Sequence, residues 1–208
     1  MAATITALKV QKGNKERVNV YLDGEFAFGL DMMLAARLQV EQTLSEKEIE
    51  ALLVQDQGQR AYHKALDFLS YRPRSQMEVE QYLRKKGISP QISHQVIERL
   101  QRAGLLDDAA FARFWVENRE TFRPRGIQML RYELRRKGVG DDLIEQALEG
   151  LDEAESAYRA AKGRANRYAG LEWATFRRRL GEFLRRRGFG YDAIHETLDR
   201  LWSELKQE

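Results

Sequence analysis

The 208-residue sequence contains no cysteine, only three prolines and only three histidines. Without cysteine there are no disulfides, no thiolate zinc sites and no cysteine nucleophile, a composition that fits a reducing cytosol. No run approaches the ~18 uninterrupted apolar residues of a membrane helix, so no membrane partner is expected. The opening MAATITALKV lacks the basic start and apolar run of a secretory signal, and the expected location is the cytoplasm. His63, His94 and His195 sit in ordinary helical surroundings such as RAYHKALDFLS and YDAIHETLDRL. No His/Asp/Glu cluster has metal spacing, and no G-x-x-x-x-G-K-[ST] phosphate loop occurs. Asp107 and Asp108 are adjacent carboxylates, but neighbouring side chains at a helix start diverge, and helix capping accounts for both. Nothing in the residues points to catalysis, a metal or a cofactor.

What is present is charge, and it is sorted. Hydrophobic content of 43% and charged content of 32% fit a globular chain of one or two domains. The formal net charge is only +3, yet residues 1–57 carry six basic and nine acidic side chains, leaving +6 for the remainder. Residues 164–187 hold eight arginines against Glu172 and Glu182, whereas 140–155 hold seven acids and no base. Such blocks suit a polyanion or an acidic surface as partner.

The first thirty residues read as strands. TALKV and RVNVYL alternate around the polar QKGNKE, and Asp23-Gly24 is a hairpin signal before EFAFGL. DMMLAARL then suggests a short helix, and Ser45 with Glu48 forms a capping box opening a helix at Glu46. These features define a small α+β unit over 1–57, with its exit at Gln57-Gly58.

Beyond it the chain repeats. LRKKGIS, LRRKGVG and LRRRGFG place glycines at 87, 138 and 188, and the phrase RPR precedes the first two by about fourteen residues. Leu83, Leu134 and Leu184 lie four residues before the glycines, and Val79, Leu130 and Leu180 four earlier still. Ile97, Leu148 and Leu198 follow by ten, with Leu100, Leu151 and Leu201 three further on. Spacings of three and four mark one buried helical face on either side of each glycine. With a further helix ahead, near 59–70, 107–121 and 153–169, the expectation is mainly α: three tandem three-helix repeats in an extended curved array. The units are 58–103, 104–151 and 152–208. The third is degraded, with Ala174 at the place of the proline and EWATFRRRL instead of the RPR entry.

The basic phrases have a plain explanation: cations favour the negative end of a helix dipole, and glycine takes the left-handed conformation that closes the helix. One cation would suffice, however, and each copy carries three. Arg72 and Arg74, Arg123 and Arg125, or Arg177, Arg178 and Arg179 also stand at the opposite ends of the same helices, where they oppose the dipole. The surplus therefore suits phosphates. Base-specific reading in a helix–turn–helix manner is not expected, because the helix after the second glycine, DDLIEQALEG, is acidic. Phe111, Phe114, Trp115, Trp173 and Phe176 are read as core aromatics, and Tyr71 beside RPR is left open as a stacking residue.

The stretches ALDFLSYRPRSQMEVEQYLRKKGIS, VIERLQRAGLLDDAAFARFWVENR and RPRGIQMLRYELRRKGV resemble the RecX regulatory proteins, bacterial modulators of the RecA recombinase. The likeness is most specific over 61–151, while 1–57, with KERVNVYLDGEFAFG, looks like the N-terminal extension of longer members. The resemblance implies a non-enzyme of tandem three-helix repeats that binds the groove of the RecA–DNA filament and restrains its growth, ATPase and strand exchange. It implies contacts through Arg72, Arg74, Arg84, Lys85, Lys86, Arg123, Arg125, Arg135, Arg136 and Lys137, and repeat symmetry adds Arg177, Arg178, Arg179, Arg185, Arg186 and Arg187. The implied partners are the RecA filament on DNA and single- or double-stranded DNA bound without sequence preference, with the chain acting as a monomer. The alternative is a sequence-nonspecific DNA-binding protein that competes with RecA for DNA.

Overall fold

The computed structural model describes residues 2–207. It divides into two compact units, Met1–Arg72 with Val79–Leu105, and Pro73–Glu78 with Leu106–Glu208. The first unit opens with four antiparallel strands, β1 (Ala2–Val10), β2 (Arg17–Leu22), β3 (Glu25–Asp31) and β4 (Thr43–Ser45), ordered β3-β2-β1-β4. Asp23 at φ 50° and Gly24 at φ 92° make the expected two-residue hairpin turn. Strand β4 was not expected: three residues are too short to show alternation, and long-range pairing with Ala2–Thr4 creates it. Ile5, Val18, Val20, Leu30, Ala35 and Leu44 form the sheet's core. Asp31 caps the single-turn helix α1 (Met32–Ala35) by accepting from the Met33 N–H.

Helix α2 (Glu46–Ser70) begins at the Ser45–Glu48 capping box and runs unbroken through Gln57 and Gly58. No chain exit exists there. A helical glycine costs only about 1 kcal/mol, and the neighbouring Asp56 anchors the helix. Asp56 is 3% exposed, accepts from both terminal nitrogens of Arg17 at 3.1 Å and from the Asp31 N–H at 2.7 Å. The first half of α2 thereby belongs to the sheet, while Ala61 and Ala65 in its second half are buried in the first helical repeat.

The remaining helices are α3 (Gln76–Lys85), α4 (Pro90–Arg102), α5 (Asp108–Phe122), α6 (Ile127–Arg135), α7 (Asp141–Leu148), α8 (Glu153–Ala165), α9 (Trp173–Arg186) and α10 (Tyr191–Gln207). They make three three-helix repeats: the second half of α2 with α3 and α4, then α5–α7, then α8–α10. Each leucine that precedes a repeat glycine, Leu83, Leu134 and Leu184, is fully buried, a burial worth about 1.5–3 kcal/mol apiece. Of the twelve aligned apolar positions, eleven are buried and Leu151 is partly exposed, because α7 stops at Leu148, with Gly150 at φ 74°. Phe111 and Phe176 lie in the second and third repeat cores, as expected for core aromatics. Trp173 packs with Phe176 and Trp202, and Trp115 is partly buried and donates to Glu133 at 2.8 Å. Each histidine contacts a residue four positions away: His63 with Gln59, His94 with Glu98, His195 with Asp199.

Candidate functional site

The three basic phrases end their helices identically. Gly87, Gly138 and Gly188 take φ of 76°, 79° and 82°. Their N–H groups donate to the carbonyls of Arg84, Arg135 and Arg185, and the next residue's N–H reaches Leu83, Leu134 or Leu184. This is the Schellman closure. It accounts for the glycine and one cation, and Gly104 closes α4 the same way without a basic triplet.

The two recurring phrases are also partners of each other. Ser75, immediately after the first RPR, donates its hydroxyl to the Lys137 carbonyl at 2.7 Å. Gly126, after the second RPR, donates its N–H to the Arg187 carbonyl at 3.0 Å. The approach is close: a Cβ on Gly138 would stand 2.7 Å from Met77, and one on Gly126 would stand 2.0 Å from the Gly188 carbonyl oxygen. A Cβ on Gly87 would meet nothing within 4 Å.

An acidic residue completes each junction. Asp108 accepts from the Gln76 N–H at 2.8 Å, and Glu153 accepts from the Ile127 N–H at 2.8 Å. Only Asp107 caps its own helix, accepting from Ala109 and Ala110; Asp108 serves the first turn of α3 instead. Burial pushes the Asp108 carboxyl above its ordinary value, and the nearby charges of Asp107 and Glu78 push the same way against the Gln76 hydrogen bond.

The cations singled out from sequence divide into committed and solvent-facing groups. Lys137 pairs with Glu78 at 2.7 Å and lies 4.3 Å over the Trp115 ring. Arg125 approaches Glu133 at 3.9 Å, Arg135 pairs with Asp141 at 2.7 Å, and Arg178 with Glu182 at 3.8 Å. Lys86, Arg136 and Arg179 lean over Tyr82, Tyr132 and Tyr168. Arg84, Lys85, Arg123, Arg177, Arg185 and Arg186 are exposed, and Arg72 and Arg74 are half-buried.

The second junction differs from the first in its charge balance. In the second repeat, Arg119 and Lys137 have Glu133 and Glu78 as partners. The repeat equivalents of these cations are Arg164 and Arg187, but the equivalents of the two acids are Phe183 and Met129. Arg164 and Arg187 stack on the Phe183 ring at 4.3 and 4.6 Å, and Arg187 donates to the Pro124 carbonyl at 3.1 Å. Burial lowers the Arg187 pKa, and the positive charges of Arg125, Arg164 and Arg123 lower it further. The Nε of Arg125 is buried without a hydrogen-bond partner. Arg123, Arg125, Arg164 and Arg187 thus form a cationic cluster fit to take an anion. Arg164 was not among the named sequence candidates; its signals are its place at the start of the arginine-rich block 164–187 and its repeat equivalence to Arg119. A large exposed aromatic precedes each RPR, Tyr71 at 84% and Phe122 at 74% exposure.

Family models match consecutive segments: the regulatory protein RecX N-terminal domain over 3–45, and the first, second and third RecX three-helix domains over 61–100, 107–148 and 152–198. The chain belongs to the RecX family of regulatory proteins. Regulatory protein RecX of Bacillus subtilis (strain 168) is 32% identical over 98% of this chain and 79% of that protein. Regulatory protein RecX of Geobacillus sp. (strain WCH70) is 33% identical over 93% and 75%. A crystal structure of regulatory protein RecX superposes with a TM-score of 0.76 at 28% identity, covering 99% of this chain and 100% of that one. The RecX of Lactobacillus salivarius gives a TM-score of 0.63 over 74% of this chain and 99% of its own. The third repeat, which departs from the RPR pattern, is therefore a genuine RecX domain. Among the described residues no helix is long and apolar enough to cross a membrane.

Proposed function

We propose that this chain regulates the RecA recombinase by lying in the groove of the RecA–DNA filament, where it restrains filament growth, ATP hydrolysis and strand exchange without catalysing a reaction of its own. RecX membership supplies the partner. The observation that carries the mode of action is a surplus of cations over the acids that pair with them among the described residues. Arg84 and Lys85 project from the end of α3, and Arg123, Arg125, Arg164 and Arg187 gather at the second junction, where among the described residues Glu133, 3.9 Å from Arg125, is the one carboxylate paired with any of the four. Cations left uncompensated by their own fold are compensated by a partner, and a filament groove offers both phosphates and acidic side chains.

A second reading, direct competition for DNA, is favoured by one observation: the exposed rings of Tyr71 and Phe122 stand beside the RPR arginines, an arrangement suited to stacking on unpaired bases. Titrating the chain into the DNA-dependent ATPase of the cognate RecA, beside a binding titration on naked single-stranded DNA, separates the two. Inhibition well below the concentration that coats DNA is the expected result, with Arg123→Glu/Arg164→Glu weakening it by about tenfold or more. These two exposed arginines have no carboxylate partner to strand, unlike Lys137. Inhibition that merely tracks DNA coating sinks the groove mechanism.

A further inference from the structure

In the second repeat, two ion pairs tie α6 to α7 across the groove between them. Arg131 binds Glu145 through two hydrogen bonds at 2.7 and 2.6 Å, and Arg135 binds Asp141 at 2.7 Å. The fifty-residue offset that aligns Leu134 with Leu184 and Ile144 with Ile194 places Gly181 and His195 where Arg131 and Glu145 stand. It likewise places Arg185 and Tyr191 where Arg135 and Asp141 stand. Both ties are therefore absent from the third repeat. The first has lost both members. The second has kept its arginine and lost its acid.

The space between α9 and α10 opens accordingly. A cavity of about 580 Å³ lies there, against about 340 Å³ at the corresponding place between α6 and α7. Its floor is apolar, formed by Gly181, Phe189, Ile194 and Leu198, and its rim carries Arg177, Arg178 and Arg185. The charges facing it are unbalanced: Glu182, 3.8 Å from Arg178, is the one carboxylate lining the cavity, and His195 is turned to Asp199 at 3.0 Å. Tyr191, at the mouth, is 73% exposed, an amphipathic ring of the kind that anchors protein contacts.

We infer that this groove is a docking site for an acidic peptide segment that inserts one apolar side chain over Gly181 and pairs its carboxylates with Arg177, Arg178 and Arg185. The floor distinguishes the ligand class. A sugar–phosphate backbone has no aliphatic side chain to fill an apolar floor, whereas an acidic peptide supplies both the anchor and the charge. Guanidinium groups bind carboxylates through paired N–H donors, so the rim matches such a segment in geometry as well as sign. The inference stands on the groove alone and is independent of the RecA reading.

The test is fluorescence anisotropy with the full chain and a fluorescein-labelled peptide of alternating Glu and Asp around a central Leu-Phe pair. Two control peptides carry Gln and Asn in place of the acids, or Ala in place of Leu-Phe. Saturable binding is expected, weakened about tenfold or more in each control and in two variants. Gly181→Arg/His195→Glu rebuilds the tie of the second repeat, and a Cβ at 181 meets only Leu198 and Ile194 at 3.7 and 3.9 Å. Should that variant lose its helical signal, Arg185→Glu, a change at an exposed side chain, carries the test. Absence of saturable binding, equal binding by either control, or indifference to both variants overturns the inference. Displacement by a single-stranded oligonucleotide at lower concentration than the unlabelled peptide also overturns it, assigning the arginines to nucleic acid. Running the RecA ATPase titration in parallel keeps the two readings apart. Inhibition without peptide binding removes only the docking site, and peptide binding without inhibition removes only the RecA mechanism.

Discussion

The three repeat glycines share one sequence context and one backbone conformation, yet they face different surroundings. Alanine at Gly87 meets open space, so it costs only the left-handed penalty of about 1–2 kcal/mol. Alanine at Gly138 or Gly188 also drives a methyl to 2.7 Å from Met77 or 2.5 Å from Met129, adding an overpacking cost of about 1–3 kcal/mol. Urea unfolding of the three single variants should rank Gly87→Ala as clearly the mildest; equal losses would mean the junctions yield without cost. Asp108 supports a second prediction at this scale. Its pKa is raised in the fold, so the folded state favours the neutral acid, and its influence on stability turns unfavourable as pH climbs past the ordinary aspartate value near 3.9. Asp108→Asn keeps a carbonyl oxygen for the Gln76 N–H and removes the titration. Its stability relative to the parent should improve from about pH 3 to pH 7, as followed by denaturant melts; a pH-independent difference would show that the carboxyl is not perturbed.

Helix α2 is the element that local signals misplace. Its start was legible because a capping box is a four-residue pattern, and Ser45 and Glu48 satisfy it in the structure. Its continuation through Gln57-Gly58 was not, because the anchor is Asp56, whose partners Arg17 and Asp31 are 39 and 25 residues away. Asp56→Ala strands the Arg17 guanidinium and the Asp31 N–H in a buried place, which costs about 3–5 kcal/mol. Thermal unfolding should show a lowered midpoint, and Arg17→Met/Asp56→Leu should recover part of the loss by leaving no buried charge unpaired, since Arg60, the other cation beside Asp56 at 3.7 Å, is solvent-exposed. A wild-type midpoint in the alanine variant would mean that the sheet holds α2 without this network. The helical repeats were the most legible elements, since their period of three and four is repeated three times, and eleven of the twelve aligned apolar positions are buried.

Across the molecule the repeats have diverged in charge while keeping their backbone geometry. The RPR segments seat on the helix ends that carry Lys137 and Arg187, and residues 172–179, at the corresponding place in the third repeat, meet no such helix end among the described residues. This accounts for Ala174 at the place of the proline: a docking phrase without a dock is under no packing constraint. Of the acids that neutralise the second repeat, Glu133, Glu145 and Asp141 correspond to Phe183, His195 and Tyr191 in the third, and Glu78 of the first corresponds to Met129 of the second. Positive charge is thereby left without these acids at the second junction and in the third repeat's groove. A whole-molecule consequence is that RecA inhibition should weaken with added salt only in part, since apolar contacts are indifferent to screening. Complete loss between low and physiological salt would identify a purely electrostatic competitor for DNA.

Sequence by itself determined that three units repeat, where the repeat helices close at Gly87, Gly138 and Gly188, and which face of each helix is apolar. Those properties depend on turn chemistry and hydrophobic period, which a few neighbouring residues carry. Only the tertiary structure decided which cations are already spent. The acid that neutralises Lys137 lies 59 positions away in the chain and 2.7 Å away in space, and Coulomb attraction follows the second distance.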